Sequence, residues 1–324
     1  MRAVLSREPG PPASLVVADT AEPVAGPGEV VVAVAAVGLN FLDTLIIRDR
    51  YQFKPERPFS PGAEMAGTVV ALGEGVTTLA VGDRVSGHLG WGCCREKVAA
   101  KAASLARVPD GVPLEVAAGL TITYGTTILA LDERANLRPG ETLAVLGASG
   151  GVGQAAVEIG KVMGARVIAC AGGADKLAFA RECGADEVVD YEREDLKARL
   201  KDLTGGRGVD VIYDPVGGAY SEAAIRAIAW LGRHLVIGFA AGDIPKIPLN
   251  LLLLKNCDLR GVFFGEAVKR DPAGHARSME RIHGWVAEGR IRPHIDRVVG
   301  LDEVPAALEA IAARAVKGKV IVRP

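Results

Sequence analysis

This chain lacks the residues that would stitch together a metal-bound or disulfide-bound framework. Its five cysteines are odd in number and scattered, which argues for reduced thiols in a cytoplasmic protein. The one adjacent pair, Cys93-Cys94, is not the Cys-x-x-Cys spacing of a zinc lobe. His88 nearby does not complete a ligand set, so no metal is expected. No apolar run reaches the length of a membrane span. Arg2, Arg7, Glu8 and Pro9 come too early for a signal peptide. The net charge of −1 supplies no basic field, so neither nucleic acid nor an anionic membrane is an expected partner. Internal repeats and low-complexity segments are also missing, which excludes solenoids and arrays.

What is abundant is glycine, 40 of 324 residues, in a chain long enough for two domains. The glycines matter most between Thr142 and Lys176. An apolar run, Thr142 to Leu146, leads into Gly147-Ala148-Ser149-Gly150-Gly151-Val152-Gly153. Val152, Ala155, Ala156, Ile159 and Met163 then recur on one helical face, and Gly164 stops the helix. A second apolar run, Ala165 to Ala171, completes a strand–turn–helix–strand unit. The turn reads G-x-G-x-x-G with Ala148 in the first glycine place, followed by Gly150 and Gly153. Backbone N–H groups and the helix dipole at such a turn bind phosphate, and the glycines leave room for a pyrophosphate. No Gly-Lys-Ser/Thr follows, so this is not the loop of a nucleoside triphosphatase.

The end of the second strand speaks to which dinucleotide is bound. An NAD site carries an acid roughly 20 residues on, to hold the ribose 2′-OH. Ala171, Gly172 and Gly173 occupy that place, and Lys176 follows. A missing carboxylate removes repulsion and a lysine adds attraction for a 2′-phosphate, so the expected cofactor is NADPH. Asp175 points the other way, but an acid at a helix start commonly caps the first turn.

Residues 1–120 read as short strands with glycine turns, including the β-branched run Val30 to Val37 and the segment Met65 to Leu72. That pattern suits a barrel or sandwich. From Leu143 onward strands alternate with helices. Strands are expected over 143–147, 166–171, 187–190, 209–214, 234–238 and 258–264. Helices are expected over 151–163, 174–183, 194–203 and 221–231. Alternation of this kind implies a parallel sheet covered on both faces, with ligands beyond the carboxyl ends of its strands. Asp214 to Gly218, and Gly238-Phe239 with the residues after them, are therefore candidate cofactor loops. The tail adds a helix over 275–287, a strand near 295–299 and a final strand Lys319 to Val322, with Arg314, Lys317 and Lys319 as a basic cluster.

The motifs Val37 to Asp43, Pro61 to Gly67, Val81 to Val85, Gly147 to Gly153, Tyr213 to Gly218 and Gly318-Lys319-Val320 together resemble the medium-chain dehydrogenase/reductase superfamily. Within it they are most similar to the zinc-free, zeta-crystallin-like quinone oxidoreductases. The resemblance covers essentially the whole chain. It implies an α/β protein in which a GroES-like β-barrel catalytic domain, residues 1–124 with 266–324, holds an inserted Rossmann domain over 125–265. It also implies an active site in the cleft, and a homodimer through the last Rossmann strand. Lys176, Tyr191 and Arg314 would surround the 2′-phosphate, while Asn40, Tyr51 and Thr126 would lie by the nicotinamide and substrate. With the glycine turn and the strand ends, the expected cofactor set is Ser149, Gly150, Gly151, Val152, Gly153, Gly172, Lys176, Tyr191, Gly238, Phe239, Phe263, Phe264 and Arg314. Two departures stand out. Leu45 replaces a tyrosine often found five residues after the Asn, and Gly62-Ala63-Glu64 replaces the Gly-His-Glu of the zinc relatives.

The expected activity is NADPH-dependent, zinc-independent hydride transfer to quinones. The alternative is reduction of activated C=C bonds in enones or enoyl thioesters, for which Leu45 leaves room. A third is a protein that binds NADPH but catalyses little, as in zeta-crystallins that serve in the lens or bind RNA.

Overall fold

The computed structural model describes residues 1–324. It divides into two compact units. One consists of Met1–Ile122, Gly265–Gly289 and Pro293–Pro324, the other of Thr123–Phe264 with Arg290–Arg292. In chain order the strands are β1 (Arg2–Leu5), β2 (Val16–Asp19), β3 (Glu29–Leu39), β4 (Glu64–Leu72), β5 (Arg84–His88), β6 (Lys97–Lys101), β7 (Leu105–Arg107), β8 (Thr142–Leu146), β9 (Arg166–Ala171), β10 (Glu187–Asp190), β11 (Val209–Asp214), β12 (Ile228–Val236), β13 (Asp258–Gly261), β14 (Ile295–Gly300) and β15 (Lys319–Arg323).

The first unit is organised on β3. Its run of valine and alanine suits a pleated surface packed closely on its neighbours. β4 pairs antiparallel along one edge of β3. The other edge is shared: Glu29 to Ala33 face β6, and Val37 to Leu39 face β15. The sheet order is β14-β15-β3-β4-β5-β7, and β1 and β2 form a separate pair. Val32, Leu39, Met65, Val85, Val320 and Val322 meet in a common core. The polar residues that interrupt the apolar pattern at Asn40 start a short helix, Phe41–Ile46, as Asn40 N donates to Asp43 Oδ2 at 2.8 Å.

The second unit is a six-stranded sheet in the order β10-β9-β8-β11-β12-β13, with every pairing parallel. Counted from β8, this is the order 3-2-1-4-5-6 of a dinucleotide-binding sheet, whose topological switch lies between strands one and four. Here those are β8 and β11. Helices Gly151–Val162, Ala174–Glu182, Leu196–Leu203 and Gly218–Arg226 connect the strands. Every residue of β8 is buried, which explains why it reads as a continuous apolar run.

Two expected boundaries move. The helix expected to reach 231 ends at Arg226, and β12 begins at Ile228 rather than 234. Ile228-Ala229-Trp230-Leu231 is apolar enough to read as either element, and pairing with β11 decides for strand. The pairing shifts register between Val209 and Val211, and Leu231 sits at φ 59, leaving Trp230 and Leu231 exposed. The last strand stops at Gly261 rather than 264. Phe264 opens a helix, Phe264–Arg270.

Candidate active site

The glycine turn expected to cradle a phosphate lies at the carboxyl end of β8. Gly147 turns the chain at φ 61, where a side chain would be strained. Helix Gly151–Val162 follows, with Gly150 as its cap residue and no side chain capping it. Its first-turn N–H groups are therefore free of the side-chain acceptor that usually takes one of them. A Cβ on Gly153 would come within 2.1 Å of Gly147 O, so only glycine lets the helix pack onto the turn. A Cβ on Gly150 would meet nothing nearer than Gly147 O at 3.6 Å, so the backbone there is open to approach. Ser149 is buried, whereas Gly151 and Val152 are half-buried. These features fit a pyrophosphate: bare N–H donors, an unobstructed backbone and a helix dipole pointing outward.

The ribose end is built by β9 and β10. Gly172 and Gly173 follow β9 directly, and Lys176 sits half-buried in the first turn of helix Ala174–Glu182. Tyr191, immediately after β10, packs against Tyr220 with ring centroids 4.3 Å apart. Asp190 ties the two strand ends together. Its Oδ1 accepts from Gly173 N at 3.4 Å and from Glu192 N at 3.2 Å. Tyr191 N donates to Ala171 O at 3.3 Å. Glu192, which carried no expectation, lies against Gly172: a Cβ there would come within 2.1 Å of Glu192 Oε1.

On the other side of the switch, the loops after β11 and β12 are laced together. Asp214 is their hub and is almost fully buried. It accepts from Val216 N and Gly217 N, both at 2.9 Å, and from the Ser221 hydroxyl, and its Oδ2 lies 3.1 Å from His234 Nε2. Those partners, His234 first among them, hold its carboxyl below the usual range against the opposing cost of burial. Ile237 N and Gly238 N donate to Asp214 O, and Ala240 N donates to Pro215 O. Gly217, at φ 74, passes under Phe239: a Cβ would stand 3.0 Å from that ring. Phe239 is itself exposed. Thr126 is buried in helix Thr123–Ile128, whose neighbouring Thr127 hydroxyl contacts the Tyr213 hydroxyl at 2.9 Å. Phe263 is exposed beyond β13, and Phe264 is buried.

In the first unit, Asn40 sits in a buried polar network. Its Nδ2 donates to Gly38 O at 3.1 Å and to Glu64 Oε1 at 2.9 Å, which uses both amide protons. Its Oδ1 accepts from Lys319 Nζ at 2.8 Å. Lys319 also donates to Leu39 O and Glu64 Oε1, each at 2.8 Å, and Glu64 Oε2 accepts from Ile122 N at 2.7 Å. Glu64 and Lys319 are thus a desolvated, fully hydrogen-bonded ion pair, which breaks up the expected basic cluster. β15 alternates its faces and turns Lys319 into the core, while Arg314 remains exposed. Beside the pair, Asp43 accepts from Asn40 N and Gly62 N. Burial pushes its carboxyl up to about 7, against the pull of those donors and of Lys319. Tyr51 is half-buried against the same core, and its ring lies 6.0 Å from that of Phe53. Burial and the Asp43 charge raise its hydroxyl above the usual value.

No three His, Cys, Asp or Glu side chains come together to hold a metal ion. Cys93 and Cys94 are fully buried and free, and burial holds both thiols well above their usual range, which disfavours the thiolate a metal would need. Glu64 is already bound to Lys319, Asn40 and Ile122. The residues present do not fit a catalytic zinc.

Comparison with known proteins agrees with this geometry. The family described as Zinc-binding dehydrogenase matches residues 151–279, and the Alcohol dehydrogenase GroES-like domain matches residues 26–110. The Quinone oxidoreductase-like protein 2 homolog of Nematostella vectensis is 40% identical, covering 99% of this chain and 88% of that protein. The Quinone oxidoreductase of Pseudomonas aeruginosa is 34% identical over 94% of this chain and 93% of its own length. The chain belongs to the quinone oxidoreductase branch of the medium-chain dehydrogenase/reductase superfamily. The crystal structure of Escherichia coli quinone oxidoreductase complexed with NADPH superposes with a TM-score of 0.92 at 27% identity, covering all of both chains. In this branch member the GroES-like domain lies in the first unit and the parallel Rossmann sheet in the second.

The buried partners of Asn40 are not legible in the chain. Glu64 and Lys319 each fall in a quoted motif, yet nothing in the chain signals that residues 255 positions apart meet. A lone lysine opening the apolar run Val320-Ile321-Val322 was the one available hint.

Proposed function

We propose that the chain is an NADPH-dependent oxidoreductase that reduces quinones by hydride transfer without zinc. The observation that carries the reading is the uncapped, glycine-built turn at the end of β8, at the switch point of the sheet. Ser149 to Gly153 would take the pyrophosphate. Gly172, Lys176 and Tyr191 would form the 2′-phosphate end. Gly238, Phe239, Phe263 and Phe264 would line the remainder. Nicotinamide, when bound, supplies the hydride.

The protein's own contribution is position and hydrogen bonding, and holding donor and acceptor in register is worth about 7–11 kcal/mol of barrier. Without a metal, the acceptor must be electron-poor or polarised by a donor. Tyr51 suits that role, because its raised phenol keeps the proton through the neutral range. Asn40 gives both amide protons to protein acceptors and serves as a fixed wall of the site unless the network opens. The quinone assignment rests on the relatives' names and on the missing zinc donors.

The homodimer belongs to the same reading. β13 ends the sheet and pairs only with β12. In the preceding helix, Asn250–Lys255, Leu253 and Leu254 are 80% and 65% exposed, and Leu259 and Phe263 are exposed too. An open sheet edge flanked by exposed apolar side chains can pair with another such edge. Light scattering at micromolar concentration should give twice the chain mass, and a monomer rejects this part. No helix is long and apolar enough to cross a membrane. A cytoplasmic location is proposed from the free thiols.

The deciding assay follows NADPH oxidation with 1,4-benzoquinone and then with an enone, in chelator. Chelator-insensitive turnover with quinone is expected. Turnover with the enone alone would move the activity to C=C reduction. Tight NADPH binding without turnover on either acceptor would overturn the enzyme reading.

A further inference from the structure

The nucleotide-binding sheet lacks an acid at the end of β9, but the space such an acid would use is filled. The Glu192 carboxylate lies over Gly172, with Oε1 2.1 Å, Cδ 2.2 Å and Oε2 2.7 Å from where a Cβ would stand. Gly172 comes 19 residues after Gly153, the distance at which a dinucleotide-binding sheet presents its ribose acid. The placement is built into the fold. Asp190 Oδ1 accepts from both Gly173 N and Glu192 N, and Tyr191 N donates to Ala171 O, so the turn after β10 is pinned to the end of β9. Within that turn Glu192 has no cation to neutralise it. Arg193 leans toward Asp190 at 3.9 Å, and the Glu192 carboxylate accepts no hydrogen bond. Lys176, on the helix that follows Gly173, is also without an ion-pair partner. Glu192, in the turn after β10, and Lys176, on the helix after β9, are thus charges of opposite sign without ion-pair partners.

We propose that Glu192 is a cofactor-specificity residue: it supplies from the turn after β10 the carboxylate missing from β9, accepts hydrogen bonds from an unmodified ribose, and weakens the hold on a 2′-phosphate that Lys176 favours. The proposal rests on the dinucleotide-binding reading above and sharpens it: NADPH remains the cofactor, and Glu192 limits how strongly it is preferred over NADH. Neutralising Glu192 shifts the balance toward NADPH.

The test is calorimetric titration of the full chain with 2′,5′-ADP and with 5′-ADP, which probe this subsite without turnover. Glu192→Gln is expected to tighten 2′,5′-ADP by about tenfold, the size of one removed like-charge contact in a solvated site. It should leave 5′-ADP little changed, because the glutamine oxygen still accepts from ribose. Glu192→Ala should tighten 2′,5′-ADP similarly but weaken 5′-ADP. Glu192 is exposed, so both variants should fold, and matching melting curves will show it. If the parent binds both nucleotides and Glu192→Gln leaves their affinity ratio unchanged, the specificity role is overturned while the cofactor reading stands. Equal shifts for both nucleotides in both variants would mean that Glu192 only shapes the turn. A parent that binds neither nucleotide overturns both readings.

Discussion

The two units present polar groups to their candidate sites by opposite means. In the nucleotide-binding unit the donors are backbone N–H groups, and side chains are kept out of the way: Gly150 leaves the backbone open and Gly153 has no room for a Cβ. In the GroES-like unit the polar groups are side chains, and three of them, Asp43, Glu64 and Lys319, are ionisable and almost fully buried. A backbone cradle depends on local geometry and is sensitive to steric change. A buried charge network depends on residues far apart in the chain and is sensitive to loss of any one partner.

The largest effect should come from splitting the buried pair. Glu64→Gln or Lys319→Met alone should cost about 3–5 kcal/mol in denaturant unfolding, because each leaves a desolvated charge without its partner. The double variant should cost clearly less than the sum. A single variant within about 1 kcal/mol of the parent would show that the pair is not desolvated. Gly153→Ala comes next. The 2.1 Å clash with Gly147 O should lower stability by about 1–3 kcal/mol and sharply weaken NADPH binding. Unchanged binding by calorimetry would break the contrast, since the cradle would then tolerate a side chain.

A third effect depends on pH. Asp43 holds its proton up to about 7 in the folded chain and releases it near 3.8 when unfolded. Its contribution to stability is full below the unfolded value and is lost as pH rises through about 7. Within that window each pH unit should cost up to about 1.4 kcal/mol, and Asp43→Asn should flatten the slope of melting temperature against pH. An unchanged slope would place the titration elsewhere. The smallest effect is Lys176→Glu, which should weaken NADPH by about tenfold and NADH much less. Equal weakening of both would remove Lys176 from the 2′-phosphate end.

Much of the nucleotide-binding unit was legible in the chain because its signals are local. The order of apolar runs and glycine turns predicts β8, the helix after Gly150 and β9 to within a residue. Where local signals were ambiguous the reading slipped. Ile228 to Leu231 is apolar in a way that suits helix or strand, and only pairing with β11 decides it. In the GroES-like unit the motif around Asn40 was visible, but its partners were not. The amide that looked available for substrate is held by Glu64, 24 residues on, and by Lys319, 279 residues on. Glu192 is illegible for the same reason: it sits in the turn after β10, 20 residues from the glycine it covers.

By itself, the order of residues determined the alternation of strand and helix from β8 onward and the glycine turn that can receive a phosphate. It also determined the lack of an acid after β9 and of a zinc donor set. These follow from periodicity, turn chemistry and residue type, which act over a few positions. Only the tertiary structure decided which buried charges meet, which face of β15 carries Lys319 inward, and which turn supplies a carboxylate to Gly172. Those outcomes depend on sheet register and on contacts between residues distant in the chain, where a shift of one position turns every side chain to the opposite face.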